Sequence, residues 1–420
     1  MDGFLRGARS GRQYAFIVII TQVRALRKLI PASFYTFALY DCDAGLYDTY
    51  TDTDFPRPPR VRRRYKLSSS PGELALRYET PLGPVRWEQQ RDASGALRPF
   101  AWTLALCGKD RHQAPMTLEL EVEATRPPAP LGGRQLGGEM MFLGIERTYS
   151  YLQSGLELRG HLRWGTYDEE VVGNVGWIDR QWAPTDFSRQ QDRQSSRYRS
   201  EWRAMQFSNG WDMSAFHQYL RWERNAVVPW SGISAQGPAP EHALRATTQV
   251  ELVLPEFIKS PGVVRSRYML TDGPRWFPYC YRMRVSEWDM EVEARPFVDA
   301  PAHALPIEYW TGPVRLRGRV FGQEVDGLGF DERTRPWLRP FELAEALRLT
   351  VEHLPGIDDE ARWLLAYRVA EVGALALRRD RRAARVHLAQ RVEPLVRQLP
   401  EAARARVAPL ARDVREVLGR

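Results

Sequence analysis

The segment VVGNVGWIDRQW (171–182) sets Asp179 beside Arg180 and brackets the pair with Trp177 and Trp182. An exposed turn needs no two tryptophans, and a plain strand needs no acid next to a base. Tryptophan is the neutral side chain best suited to face a developing cation. A carboxylic acid in apolar surroundings holds its proton to higher pH and can deliver it. Arginine stays protonated, so Arg180 cannot act as a general acid, but its planar fork can polarise a carbonyl or anchor a carboxylate. Along a strand, Trp177 and Asp179 share one face and Arg180 and Trp182 the other. This places Arg180 and Trp182 toward a ligand, with Asp179 orienting a neighbour. The alternative is a structural Asp179–Arg180 ion pair between core tryptophans.

Further proton donors stand in WDMSAFHQY (211–219), where Asp212 opens the run and His217 shares a face with Ala215 and Tyr219. Asp179, Asp212 and His217 are the candidate acids. Glu332, after GLGFD, is expected as a charge at the rim of the last strand. His112, His161 and His303 are scattered without ligand spacing, so no metal site is expected. LGGRQLGG (131–138) has no GK[ST] and is expected as a loop, so no cofactor site is assigned. Cys42, Cys107 and Cys280 are widely spaced, which argues against a disulfide framework and fits a reducing cytoplasm.

The elements that carry these residues are strands. Runs such as YAFIVIIT, FAWTLALCG, MTLELEVEA and LELRGHLRW are short, alternating and bounded by Gly, Pro, Ser or Asp, and they continue to about residue 320. Many short strands without helical crossovers indicate antiparallel barrels or sandwiches. From Trp337 the texture becomes Ala, Leu, Arg and Glu with apolar residues three and four apart, and Asp358 and Pro400 fall at helix starts. The expected division is a barrel over 1–183, a linker over 184–201, a second barrel over 202–336 and a helical tail over 337–420. The tail is expected to pack on the barrels or to mediate homo-oligomer formation.

The chain has 420 residues, of which 43% are hydrophobic and 11% aromatic, enough for more than one core. Its formal charge of +8 comes from 60 basic residues, only four of them lysine, against 52 acids. That balance is read as a solvated basic surface; no nucleic-acid partner is expected. The run RPPRVRRRYK (57–66) lacks interleaved stacking aromatics, and its contact with anionic lipid is the sharper alternative to a charged strand and loop. YAFIVII is too short to span a bilayer and no secretory leader is visible, so a cytoplasmic location is expected.

Four pieces of the sequence resemble one family. RTYSYLQSGLELRGHLRW (147–164) is similar to its aromatic-Ser entry strand, and VVGNVGWIDRQW to its G-x-x-W-x-D-H/R-x-W core. WRAMQFSNGWDMSAFHQY (202–219) resembles the strand-turn-strand that follows, and EYWTGPVRLRGRVFGQEVDGLGFDE (308–332) the closing strands of the second barrel. The family is that of the two-domain lipocalin-like proteins, which include carotenoid 1,2-hydratase, kievitone hydratase, the AttH-like proteins and the β-barrel Diels-Alderases. The resemblance implies a mainly β fold of two lipocalin-like antiparallel barrels, and it adds Tyr149, Trp202 and Trp310 to Trp177 and Trp182 as substrate-binding candidates. It covers residues 3 to 335 and none of the tail. Two departures stand out. The family's H-P-D-x-x-x-E-W-W-Y type segment is missing ahead of the first strand, so a start upstream of Met1 is expected. The hydratase members carry His where this chain has Arg180.

The resemblance implies a cofactor-free enzyme acting on a hydrophobic small molecule. A hydratase adding water to an alkene of an isoprenoid or carotenoid-like substrate is the first expectation, with Asp179, Arg180, Asp212 and His217 as catalytic candidates. A cyclase of the Diels-Alderase type is the second, motivated by Arg180 in place of His. A lipid-like ligand carrier that performs no chemistry is the third.

Overall fold

The structure is a computed structural model that describes residues 1–25, 30–54, 66–69, 73–132, 137–142, 145–182, 197–221, 226–227, 231–260, 274–299, 301–304 and 308–420. Among the described residues the first sheet has fourteen antiparallel strands. Its main path runs Leu46–Asp54, Ile30–Asp41, Gln13–Ala25, Asp2–Gly7, Tyr167–Trp182, Leu156–Trp164, Pro115–Ala124, Leu97–Lys109, Gly83–Arg91, Ala75–Thr80 and Leu67–Ser69. Strict alternation explains the curl. In Pro115–Ala124, Met116, Leu118, Leu120 and Val122 point inward while Glu119, Glu121 and Glu123 point out. The Tyr35 hydroxyl donates to the Cys107 carbonyl at 2.9 Å and ties two distant strands across the barrel.

Among the described residues the second sheet has eleven strands, ordered Leu244–Thr247, Gly232–Gln236, Asp212–Leu220, Tyr198–Phe207, Gln323–Thr334, Glu308–Val320, Met290–Pro296, Tyr281–Val285 and Glu251–Val253, with two short strands off this path. Tyr198–Phe207 and Asp212–Leu220 are buried along nearly their whole length, on both faces. Met205, Phe207, Met213 and Ala215 fill the second barrel, whereas Trp202, Ala204 and Phe216 pack against Phe4, Ile17, Tyr40, Leu152 and Trp177 of the first sheet. One face of these strands is therefore a barrel interior and the other a wall between the sheets. The stretch expected as linker ends early: the strand begins at Tyr198, and residues 183–196 lie outside the described residues.

The interior of the second barrel carries a charged layer. Arg203 pairs with Glu201, and Arg333 pairs with Asp331 at 2.9 Å. Above this layer the helix Pro340–Glu352 closes the barrel. Its Glu342 carboxylate is fully buried and receives Arg199 at 2.8 Å and Arg221 at 2.7 Å. Glu342 also accepts the backbone N–H groups of Leu338 and Arg339, so one side chain caps the helix and seats it in the barrel mouth. The apolar stripes of Pro340–Glu352, Asp359–Leu377 and Glu401–Gly419 are continuous with the barrel core. The tail is thus a built-in lid of the second barrel.

Asp358 caps its helix through Ala361 N, as its position in the sequence suggests. The third helical run widens into a π turn over Leu388–Val392 just before Pro394, whose missing N–H cannot continue the ladder. No helix among the described residues is long and apolar enough to cross a membrane. Residues 57–65 of the basic run lie outside the described residues; Lys66 Nζ meets Asp52 at 2.5 Å.

Candidate functional site between the two sheets

The sixteen-residue strand Tyr167–Trp182 positions the motif. Its first half pairs with Leu156–Trp164 and Asp2–Gly7, and its second half leaves them to pair with Ile145–Gln153. The glycines of VVGNVGW make this crossing possible. A Cβ at Gly173 would sit 2.1 Å from the Phe4 carbonyl, and one at Gly176 would sit 2.9 Å from the Asp2 carbonyl. Only glycine lets the Asp2 strand lie so close.

Alternation holds through the motif, but the face that matters is the opposite of the one expected. Trp177 is fully buried in the core between the sheets, and Asp179 shares its face. Arg180 is exposed, 3.4 Å from the Tyr151 hydroxyl, and Trp182 is 54% exposed, stacked on Tyr149 at 5.9 Å. Arg180 and Trp182 therefore face outward, because Ile178 spends that face inside the first barrel and the strand then runs past the barrel's end. No Asp179–Arg180 ion pair forms. Asp179 instead accepts hydrogen bonds from Ser150 Oγ at 2.9 Å and Gln181 Nε2 at 2.7 Å.

Two further carboxyls meet Asp179 electrostatically. Asp2, buried opposite Trp177 in the strand register, is held well above the usual carboxylate range by burial, with Glu332 and Asp179 adding to the effect and the Met1 ammonium opposing it. Glu332 comes from the second sheet, directly opposite Trp202 on one side and Thr311 on the other. Burial pushes it up to about 7, with Asp179 reinforcing and a hydrogen bond from Tyr309 opposing. Burial likewise raises Asp179 to about 6 against the pull of Ser150, the Met1 ammonium and Gln181. Like charges in low dielectric cannot all ionise, so this group retains a proton at neutral pH.

The walls are aromatic and fixed. Trp202, Trp177, Phe4 and Phe330 belong to the core between the sheets. The Tyr40 hydroxyl donates to the Thr311 carbonyl at 3.0 Å and lies 3.1 Å from His303 Nε2, while His303 Nδ1 meets Thr49 Oγ1 at 2.8 Å. These contacts lock the first sheet onto the second beside Glu332. Burial depresses His303 to about 4, so it stays neutral. Among the described residues, Asp2 Oδ1, Thr311 Oγ1 and Trp177 Nε1 are buried without hydrogen-bond partners. Among the described residues no group of His, Cys, Asp and Glu is arranged to hold a metal ion.

The other candidates go elsewhere. His217 lies inside the second barrel, 3.3 Å from Arg203 Nη1, and burial and that cation depress it to about 3. It stays neutral near pH 7 and has no proton to deliver there, contrary to the expectation of a candidate acid. Trp310 is also inside that barrel, under the Arg333 guanidinium at 4.2 Å. It packs against a charge layer on the far side of the wall from Asp179. Asp212 is buried beside Arg126 at 3.2 Å, in a separate cleft. Of the nine candidates, the structure brings together Asp179, Trp177 and Trp202; Tyr149 stays with Trp182 on the outer face.

Asp2 and Tyr309 were missed, and Glu332, expected as a charge at the rim, is instead half-buried against the first sheet. Asp2 lies outside every motif, with nothing in the sequence to mark it. Glu332 carried a signal: Asp331, Glu332 and Arg333 are consecutive in a strand, so charges must point to both faces, and a strand with no polar face is a wall between two compartments.

The fold class defined by these two curled antiparallel sheets is the two-domain lipocalin-like class expected from the sequence resemblance. Among the solved structures that share it are two of similar extent. One is described as a putative AttH from Nitrosomonas europaea, with a TM-score of 0.54 and 16% identity over 79% of this chain and 90% of that one. The other is kievitone hydratase from Nectria haematococca, with a TM-score of 0.54 and 13% identity over 80% and 88%. No protein-family model matches the sequence, and no curated protein does. The likeness is one of fold; the chemistry must come from the site.

Proposed function

We propose that the protein is a cofactor-independent hydratase that adds water across an alkene of a neutral, hydrophobic, isoprenoid-like substrate held between the two sheets. The observation that carries this reading is Glu332, a carboxyl raised to about 7 beside Trp202 and in the field of Asp179. Hydration needs an acid that is protonated at working pH, a means of tolerating positive charge on carbon, and a base for the incoming water. Glu332 gives its O–H proton to one alkene carbon. The π faces of Trp202 and Trp177 accommodate the cation at the other. Water adds there and loses its proton to Asp179, whose two donors, Ser150 and Gln181, favour its ionised form. Return of the proton within the carboxyl group restores Glu332.

The same geometry argues about the substrate. Asp2, Asp179 and Glu332 leave no place for a carboxylate, and Arg180, the proposed anchor for one, is on the outer face. That also removes the observation that favoured a cyclase. The name of one structural relative, a hydratase, agrees with the proposal. The test is mass spectrometry of metabolites from a strain lacking the gene, its parent, and the deletion strain complemented with Glu332→Gln. The expected result is a precursor lighter than the lost product by one water, accumulating in both the deletion and the variant. Precursor and product of equal mass would overturn hydration in favour of an isomerase or cyclase.

A further inference from the structure

The helix Asp359–Leu377 is apolar on two sides, and the tertiary fold covers only one of them. Leu365, Ala366, Val369, Val372 and Ala376 turn inward and join the core of the second barrel. On the opposite side Trp363 is 66% exposed and Tyr367 is 47% exposed, followed along the same stripe by the exposed Ala370 and the half-buried Ala374. The chain reverses at Arg379, whose φ is 66°, and Arg381–His387 returns alongside, with His387 Nε2 3.0 Å from the Glu371 carboxylate. This brings Val386, 45% exposed, beside the middle of the stripe. Among the described residues seven large hydrophobic side chains are exposed, and three of them stand on this one hairpin, so they form a patch and are not scattered singly.

The two ends of this stripe carry opposite charge, and its aromatic part is fixed. The Trp363 and Tyr367 ring centroids lie 5.4 Å apart with the planes 12° from parallel. The Arg368 guanidinium, paired with Glu371 at 2.8 Å, lies 5.4 Å from the Tyr367 ring centroid. The aromatic pair is therefore in place before any partner arrives. Asp358, Asp359 and Glu360 are exposed at the start of the helix, and Arg378, Arg379, Arg381 and Arg382 are exposed beyond its end. Glu360 and these four arginines make no ion pair among the described residues.

This distribution selects an occupant. An anionic lipid surface would suit the arginines but would set Asp358, Asp359 and Glu360 against like charge, about one turn from Trp363. A second copy of the same helix, antiparallel to the first, fits along its whole length. Residues about equally far from a two-fold axis between Arg368 and Val369 then face each other. Trp363 of one copy meets Ala374 of the other, Tyr367 meets Ala370, and Glu360 meets Arg378. Large side chains lie on small ones and acid lies on base, each twice, which is the self-complementarity that a two-fold contact demands. We propose that the outer face of Asp359–Leu377 is the contact face of a homodimer, joined antiparallel along this stripe and flanked by Val386. The inner side of the tail closes the barrel and the outer side joins the copies; the proposal does not rest on the hydratase reading.

The experiment is sedimentation velocity of the full chain at neutral pH from about 1 to about 100 μM, a range that brackets a weak dimer constant. The expected result is a reversible monomer–dimer equilibrium. Trp363→Glu changes an exposed side chain outside the core, so it should leave the circular dichroism spectrum unchanged and abolish the dimer. Trp363→Ala should weaken association about 30-fold or more, as loss of a central interface tryptophan does. Glu360→Arg and Arg378→Glu should each weaken it about 3- to 10-fold, because each breaks two exposed ion pairs per dimer. The double variant should regain most of that loss. A chain that stays monomeric throughout, a dimer that survives Trp363→Glu, or charge variants that the double variant does not restore would each overturn the proposal. So would a monomer that co-sediments with phosphatidylglycerol vesicles and releases them on Trp363→Glu, which would give this face to a lipid surface.

Discussion

Replacing Glu332 by glutamine should make the protein more stable, and the gain should grow with pH. The carboxyl titrates at an ordinary 4.5 when unfolded and at about 7 when folded. With its folded pKa raised, Glu332 contributes stability that is fully present below about pH 4.5 and is lost as pH rises through about 7. The gap corresponds to about 3 kcal/mol at about 1.4 kcal/mol per pH unit. Because the side chain is half-buried, solvent screening reduces this to about 1–2 kcal/mol. Glutamine keeps the size and the acceptor for Tyr309 and removes the ionisation. Urea denaturation of both proteins at pH 5 and pH 8 measures the difference. The expected result is near equality at pH 5 and a variant about 1–2 kcal/mol more stable at pH 8, accompanied by loss of activity. A variant less stable at pH 8, or a difference independent of pH, would refute the placement of Glu332 in an acid-rich, desolvated wall.

Glu342→Gln should act in the opposite direction. It leaves Arg199 and Arg221 without their buried counter-charge and should cost about 3 kcal/mol in urea denaturation at pH 7. Glu342 is depressed to about 2, so its contribution is present above about pH 4.5 and fades as pH falls toward 2; the destabilisation by glutamine should shrink in parallel. The His217 ring resonances should stay in the neutral form from pH 8 to pH 5, and a midpoint near 6.5 by NMR would contradict its burial beside Arg203. Trp177→Ala should cost about 3–5 kcal/mol by cavity formation, whereas Trp182→Ala on the outer face should cost less than about 1 kcal/mol; equal losses in thermal denaturation would reverse their assigned faces.

The strands and helices were legible because their periods were written in apolar residues. MTLELEVEA and LELRGHLRW became adjacent strands in which Leu118, Val122 and Ala124 lie opposite Leu162, Leu158 and Leu156. The parity of the motif was legible too: Trp177 and Asp179 do share a face. Which face looks into the molecule was not, because that depends on the second sheet docking against Trp177 and on Ile178 being consumed by the first barrel. Glu332 and Tyr309 stand more than 120 positions from Asp179 and carry no local pattern that pairs them with it. His217 misled for a related reason. Its strand is buried on both sides, and alternation with Ala215 and Tyr219 sends it into a barrel that Arg203 and the helical lid have filled. Sequence period resolves a side chain's face; the tertiary partner decides what that face is for.

The central claim is that the carboxyls between the sheets keep a proton at neutral pH. Infrared difference spectroscopy of the protonated carboxyl stretch, titrated from pH 4 to pH 9 in the unmodified protein and in Glu332→Gln, tests it directly. The account predicts a protonated carboxyl component that persists at pH 6, disappears with a midpoint near 7, and is missing from the variant, while the band of the buried Asp2 remains in both proteins. A spectrum in which every carboxyl is ionised by pH 5, or a band near 7 that survives in Glu332→Gln unchanged, would contradict it.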